Sequence, residues 1–585
     1  MRAVRQKRRP DPRQMDLFSS TFTPLARGAP ESARPSNFMD AGTMPREYQE
    51  AVAKSALGIG ENGKPVSTLV VLPTGTGKTL IAVMAAGHKL KDGPVLFVAP
   101  TGPLARQQAA QFTEHIDVPS DSIATIIGDS AGPESRARAY SRNPSILVGT
   151  SQAVANDIEA GRIDISKISL VIIDECHHTV GNHSHNRVAR AALAAEKPVL
   201  ALTALPGDDY GKIETVMRNL GINNIEIYSR NDGAVARYLP EVMRVRKEVR
   251  LPRIFTHIRT RLTELSFDAL VELEAMRMLP DSARGDPGLS EVMHTSNVCA
   301  VSSLDDASRL MRYSRLDAIH SAILETVPGI RKKPYHLLNE KEKKAAHALS
   351  LHSELMFYYN LLNLFETQSI STALKSIEGT LRHVERTSGG RQANTEKSFR
   401  ERIRANRKFL IMYEYLRDNY NQEMENPKLR IFNETLRQYP EKRFIVFTEF
   451  REQARLLAST AESLGAGASL LLGKSGGVSG KDQEKAIADF RLGATRILVS
   501  TRAGQEGLDL PEANVINYDQ VSTGIASVQR TGRTGRSSNG MVIDLIALGT
   551  RDEFSYYRAA RTRRSTEQTL RSVKRGSGSV PHLLE

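Results

Sequence analysis

"STLVVLPTGTGKTLIAVMAAGHKL", Ser67 to Leu90, joins a run of β-formers to a helical pattern through a turn rich in Gly and Thr. A strand, a glycine-rich turn and a helix start in that order are the context of a phosphate-binding loop, because consecutive backbone N–H groups and the helix N-terminus must converge on one anion. Thr74, Gly75, Thr76 and Gly77 are expected to line it, with Gly75 and Gly77 letting the backbone come close. Lys78 would reach the β- and γ-phosphates and Thr79 would ligate Mg²⁺, so ATP and Mg²⁺ are the expected cofactors. The strict pattern has Gly where Leu72 stands; the match is a variant, carried by its context.

The same kind of strand recurs on either side. "PVLFVAP", "SILVGT", "SLVIIDE" and "PVLALTA" are short Val/Ile/Leu runs that end in polar or Gly-rich turns and lead into helical patterns. Buried strands of a parallel sheet read this way. Near Leu251 the pattern changes: no Pro occurs between Pro334 and Pro427, and Ile370, Leu374, Ile377, Leu381 and Val384 form an amphipathic stripe. Leu355, Tyr359, Leu362 and Phe365 repeat it one helix earlier, and Gly389 and Gly390 mark a loop. Strands return in "RFIVFTEF", "TRILVST", "ANVINYDQ" and "GMVIDLIAL". The expected architecture is α/β, two parallel-sheet P-loop-type domains with an all-α insert between them. Its parts are a disordered basic tail at 1–38, domains at 39–254 and 428–555, the insert at 255–427, and a basic segment at 556–585.

A P-loop needs a carboxylate at the end of a neighbouring strand, and Asp174 closes "LVII" in that position; Glu175 beside it would orient and deprotonate the attacking water. The same stretch holds Cys176, His177, His178, His183 and His185, which suggests zinc as the alternative. Adjacent side chains point in different directions and cannot easily share one tetrahedral ion, which weakens that alternative. Positive charge for the transition state is offered by "QRTGRTGR", Gln529 to Arg536: Arg533 and Arg536 stand three residues apart, on one face if the segment is helical. An arginine finger contributes about 10³ to 10⁵ in rate. Because these arginines lie far along the chain from Lys78, they can meet ATP only across a cleft between domains; a solvated Arg face is the bland alternative.

Composition narrows the class. The 585 residues are 40% apolar and 25% charged, ordinary for a soluble protein of several domains. No apolar run approaches the roughly 18 residues that span a bilayer, so no membrane partner is expected. The start, "MRAVRQKRRPDPRQ", has no apolar segment behind it and is not read as a secretory signal. Two cysteines, Cys176 and Cys299, exclude a disulfide framework and fit a reducing, cytoplasmic compartment. The net charge of +14 favours a polyanionic partner, nucleic acid first.

Taken in order, "REYQ" (Arg46 to Gln49), "PTGTGKT", "APTGPLARQQ", "VGTSQAVAND", "DECHH", "LTALPG", "IVFTEFREQA", "STRAGQEGLDLPEANVINYD" and "QRTGRTGR" resemble the motifs of a superfamily-2 helicase. Within it the "DECH" box, the helical insert, "LFETQSISTALKSIEGTLRHVER", "NPKLRIFNETL" and "TRDEFSYYRAARTRR" resemble the archaeal Hef and eukaryotic FANCM group. The resemblance implies two RecA-like domains and ATP-driven translocation on branched DNA, with forks and Holliday junctions as substrates in repair, near the nucleoid. It also implies that Gln49 reads adenine, Thr203 couples the cleft to DNA, and Gly507 and Asp509 link ATP to the second domain. An XPF-type nuclease motif, frequent in archaeal members, is not found, so cleavage is expected only from a separate nuclease. "QMDLF" resembles the peptide by which repair proteins hold a sliding clamp, which makes a clamp a candidate partner through Gln14, Leu17 and Phe18. Two rival functions share these features: a duplex-RNA-stimulated ATPase of the same "DECH" type, and a clamp-tethered junction-binding scaffold that tolerates ATP.

Overall fold

A computed structural model describes residues 44–57, 66–128, 132–278, 313–327, 338–382, 392–473, 478–504, 508 and 510–574, apart from the side chains of 274, 313–315, 318 and 392–398. Gln14, Leu17, Phe18, Val384, Gly389, Gly390, Gly507 and Asp509 lie outside the described residues.

The first sheet comprises β1 (Thr68–Val71), β2 (Val95–Ala99), β3 (Ile123–Ile126), β4 (Ile146–Thr150), β5 (Leu170–Ile173), β6 (Val199–Thr203) and β7 (Asn224–Ile227). Its spatial order is β3-β4-β2-β5-β6-β1-β7, and every pairing is parallel. Parallel neighbours need crossovers, and helices such as Lys78–Lys89 and Gly102–His115 supply them while covering the sheet faces. Two apolar cores result, one on each face, with Phe97 and Phe112 on one side and Val98, Ile173 and Leu220 on the other. The C-terminal ends of β1, β5 and β6 deliver the P-loop, Asp174 and Thr203 to one edge of this lobe.

The second sheet comprises β8 (Val242–Arg250), β9 (Phe444–Phe447), β10 (Ala468–Leu471), β11 (Ile497–Ser500), β12 (Asn514–Asn517) and β13 (Gly540–Leu548), in the order β10-β11-β9-β12-β13-β8, again all parallel. Here the expected boundary at 254 needs correction. β8 precedes the insert in sequence but pairs with β13 along its whole length, from Gly540 beside Val242 to Leu548 beside Arg250. The cause is its sequence: "VMRVRKEVR" alternates charged and apolar residues, which suits an edge strand exposed on one side. The boundary at 555 also moves, because Arg551–Lys574 is one unbroken helix. Its last turns leave the second lobe and join the first, where Leu570 is fully buried beside Val188 and Leu220.

Between the lobes in sequence, helices Arg253–Ala275, Tyr313–Thr326, Glu340–Thr367, Ile370–Arg382, Gln392–Ala405 and Arg407–Asn419 form the insert. Leu262, Leu273, Leu355, Tyr358, Phe365, Ile377 and Phe409 fill its core. Each such side chain contributes roughly 1.5–3 kcal/mol by burial. The helix at Glu340 begins at a reciprocal cap, Asn339 accepting from Glu342 N and Glu342 accepting from Asn339 N. Among the described residues no helix is long and apolar enough to cross a membrane.

Candidate nucleotide site and its neighbours

β1 ends at Val71, and the chain turns through Leu72–Gly77 into the helix Lys78–Lys89. Gly75 and Gly77 hold φ of +79° and +77°, left-handed values that a side chain resists. At Gly77 space forbids one as well, because a Cβ there would stand 2.2 Å from Gln49 Nε2. Gln49 Nε2 donates to the Thr76 carbonyl at 2.8 Å while its Oε1 accepts from Arg46 N at 2.7 Å, so this side chain fastens the loop to the first helix, Glu47–Ala56. Tyr48 also donates to Thr76 O, and Thr76 Oγ1 donates to Pro73 O. Lys78 Nζ lies against Leu72 O and Pro73 O at 2.9 and 3.2 Å.

Asp174 follows β5, and its strand is not next to β1: β6 lies between them. The expectation of a neighbouring strand is corrected by one place. The reason is visible in the register, where Leu72 N donates to Thr203 O at the end of β6. Charge still links the two loops. The Asp174 carboxyl is pushed up to about 7, by desolvation first and by Glu175 next, with Lys78 pulling the other way. Lys78 is lowered from its ordinary value by desolvation and by Arg536, against the pull of Glu175 and Asp174. Glu175 adopts φ +47°, ψ +50°, an observed strain in a non-glycine residue. Its Oε2 is 3.3 Å from His177 Nδ1, which is also 3.3 Å from Thr203 Oγ1. Thr203 donates to Leu205 O and accepts from Leu205 N.

The four histidines pack ring to ring. His178 stacks on His183 at 5.0 Å, and His183 Nδ1 lies 3.1 Å from His185 Nδ1. Burial pushes His185 down to about 3 and pushes the Cys176 thiol up. Among the described residues no group of three or more His, Cys, Asp or Glu could hold a metal, so the zinc alternative has no geometric support.

"QRTGRTGR" is helical only to Thr531, so the expected shared helix face is corrected. Gly535 takes φ +66°, and the two arginines take different partners. Arg533 Nη1 donates to Leu508 O at 2.9 Å within the second lobe. Arg536 stands on the P-loop: a Cβ at Gly75 would lie 3.1 Å from its Cγ. Gly532 is equally close, since a Cβ there would fall 1.9 Å from Thr74 Oγ1. Two glycines, one in each lobe, thus let the loops meet. Arg536 N and Nε are bonded to Glu512 and to Gly532 O, which fixes its stem. Gln529 is buried in the helix before them.

The residues present suit a magnesium nucleotide: a glycine cradle, one lysine, Thr79, and an acid whose carboxyl is costly to ionise without a cation. The sequence did not single out a second set of buried charges. Lys428 Nζ donates to Asp552 at 2.8 Å and to Tyr518 O, and lies 3.7 Å from Asp519. Asp519 accepts from Gln368 Nε2, Thr448 Oγ1 and Glu449 N, while Gln453 Oε1 accepts from Ser369 and Thr372. Arg530 is buried with them and donates to Asp519 O. The available signal was an acid closing the strand run "VINYD" and a lysine in the apolar phase of the helix Pro427–Gln438.

Residues 43–208 match the family described as the res subunit of type III restriction enzymes, and 427–538 match the helicase conserved C-terminal domain. The Hef helicase domain of Pyrococcus furiosus, a solved structure, is 30% identical with a TM-score of 0.57, over 88% of this chain and 98% of that one. The chain belongs to the Hef/FANCM group of superfamily-2 helicases. MJ1505 of Methanocaldococcus jannaschii, which carries an RNA-helicase name, is 29% identical over 88% of this chain and 59% of its own length. The DNA helicase fml1 of Schizosaccharomyces pombe is 26% identical over 90% of this chain and 59% of its own, and FANCM of Arabidopsis thaliana 26% over 94% and 38%. This Hef/FANCM-type chain therefore spans about two-fifths to three-fifths of these curated relatives.

Proposed function

We propose that the chain is an ATP-driven helicase or translocase that moves on branched DNA and remodels forks and junctions in repair. One observation carries the reading: Arg536 and Gly532 of the second lobe meet Gly75 and Thr74 of the first, so the nucleotide site is completed only when the lobes close. Gln49, Thr74, Gly75, Thr76, Gly77, Lys78 and Thr79 would hold ATP, and Thr79 with Asp174 would hold Mg²⁺. The magnesium nucleotide supplies the phosphoryl group and the charge that keeps Asp174 ionised. Glu175, held beside His177, accepts the proton of the attacking water. Gln529, Arg533 and Arg536 serve the same site from the other lobe, with Arg536 nearest the loop. The His177–Thr203 contact joins the catalytic strand end to β6, a route by which hydrolysis can reach DNA; Gly507 and Asp509 are assigned the corresponding link in the second lobe.

DNA in this reading lies across both lobes, held through phosphates, which fits the charge of +14. A sliding clamp bound through Gln14, Leu17 and Phe18 and a separate nuclease remain proposed partners on sequence grounds. RNA-helicase names within the group make duplex RNA the second reading. ATPase activity on forks, Holliday junctions, linear duplex and double-stranded RNA separates them: forks and junctions stimulate most if the proposal holds, and stronger stimulation by RNA overturns it. Lys78→Ala should abolish remodelling and spare DNA binding; a fully active variant would support a scaffold.

A further inference from the structure

The helix Arg551–Lys574 carries two kinds of cation. Near its end Arg571 is bonded to Asp232 at 2.7 Å and Lys574 to Glu226 at 2.7 Å, both in the first lobe. Earlier, Arg558, Arg561 and Arg564 are exposed, and no carboxylate among the described residues pairs with them. They recur every three residues, so they keep to one side of the helix, about 4.5 Å apart along its axis. On the same side stand Phe554, 64% exposed, and Tyr557, 50% exposed. The acids of this helix are engaged elsewhere or flank that side: Asp552 is buried with Lys428, Glu553 at the margin of the stripe accepts from Gly549 N, and Glu567 is half-buried and acts on Arg563.

Neighbouring elements continue the arginine–aromatic pattern without adding net charge: Arg246 of β8 donates to Tyr557 Oη at 3.3 Å and is paired with Glu248 at 2.7 Å, and Arg244 lies over the Tyr556 ring and is paired with Asp544 at 2.6 Å. Arg563 is lowered from its ordinary value by burial, with Glu567 opposing and Arg244 and Arg564 adding to the fall. The exposed Arg564 is thus a neighbour of the half-buried Arg563. A polyanion would neutralise such cations and gain binding. Arginines interleaved with exposed aromatic rings suit a nucleic-acid backbone with bases beside it. The stripe also has a definite place. Gly524 of the second lobe packs against Arg563 N and donates to Asp208 of the first, and Thr566 donates to Gly207 O. The stripe therefore runs along the second lobe up to the seam between the lobes.

We propose that the exposed face bearing Phe554, Tyr557, Arg558, Arg561 and Arg564, with Arg246 beside it, is a second nucleic-acid surface that holds the phosphate backbone of one arm of a branched substrate. It rests on the proposed action on branched DNA and adds the place where an extra arm is gripped, apart from the track across the lobes.

The test is equilibrium binding of the full chain to a fork and to a linear duplex over a range of salt, for the wild type and for Arg558→Gln/Arg561→Gln/Arg564→Gln. On the fork the log–log salt slope of the triple variant should fall by about 0.9 for each phosphate no longer neutralised, or roughly 2–3 in all. Binding to linear duplex and ATPase activity without DNA should stay as in the wild type. The Arg→Lys triple variant should restore most of the fork slope, which separates a missing charge from a damaged fold. An unchanged fork slope overturns the inference, and so does an equal fall on both substrates, which would put these residues on the common track. If the triple variant loses binding to polyglutamate while its fork slope is intact, the surface belongs to an acidic protein and the inference fails. A wild type with no preference for forks would overturn the branched-DNA reading and this inference with it; fork preference that survives in the triple variant overturns this inference alone.

Discussion

Where the insert meets the second lobe, Gln368 donates to Asp519, Ser369 and Thr372 donate to Gln453, and Arg551 N donates to Glu366; behind them, within the second lobe, Lys428 is buried between Asp552, Asp519 and the Tyr518 carbonyl. Where the two lobes meet, the ion pairs are wetter: Arg571 with Asp232 and Lys574 with Glu226 are partly exposed, beside single bonds from Gly524 to Asp208, Thr566 to Gly207 and Arg230 to Gly535. A buried charge network is costly to break, because removing either partner leaves a desolvated charge behind. A half-exposed pair is cheap, since water replaces it. On this contrast we expect the nucleotide cleft to work between the lobes, with the insert keeping its place on the second lobe and the end of the helix Arg551–Lys574 staying docked on the first.

Breaking the buried charge network behind the insert seam should have the largest effect on stability. Lys428→Ala leaves Asp552 and Asp519 buried without their cation, and we expect a loss of about 3–5 kcal/mol, read from the urea midpoint of the second lobe's transition. A loss under about 1 kcal/mol would mean that this network holds the second lobe no more tightly than an exposed pair does. Leu570→Ala removes a fully buried side chain that carries the C-terminal helix into the first lobe. It should cost about 2–5 kcal/mol, seen as earlier hydrogen exchange at the end of that helix. Arg571→Ala should cost no more than about 1 kcal/mol. With dyes on the insert and each lobe, a non-hydrolysable ATP analogue should alter the distance to the first lobe and leave the distance to the second unchanged.

A pH dependence supplies a separate test. Asp174 is raised from its ordinary value of 3.8 to about 7, so the folded protein prefers it protonated. That preference stabilises the nucleotide-free protein fully below about 4 and is lost as pH rises through 7. Compared with Asp174→Asn, the wild type should therefore melt progressively lower as pH is raised from 5 to 8. Parallel melting curves for the two would contradict the assignment.

How much of this was legible in the sequence depended on burial. The nine apolar runs quoted from the sequence are the inner strands β1, β2, β4, β5, β6, β9, β11, β12 and β13. The four passed over, β3, β7, β8 and β10, are the sheet edges. An edge strand has solvent on one side and needs no continuous Val/Ile/Leu run; β7 reads "NIEI" and β8 "VMRVRKEVR". Local chemistry was equally readable, since Gly75, Gly77, Lys78 and Asp174 announce themselves by type and spacing. Long-range placement was not. Nothing near Val242 says that it pairs with Gly540, nor near Leu570 that it enters the first lobe's core. The different partners of Arg533 and Arg536 turn on the helix ending before Gly532 and on the left-handed Gly535, where a helical spacing would have kept them together.

If the second lobe completes the first lobe's nucleotide site, steady-state ATPase at saturating forked DNA should collapse in Arg536→Ala. We expect kcat to fall by about 10³ or more while ATP binding changes little. A kcat within a few-fold of the wild type would contradict the account.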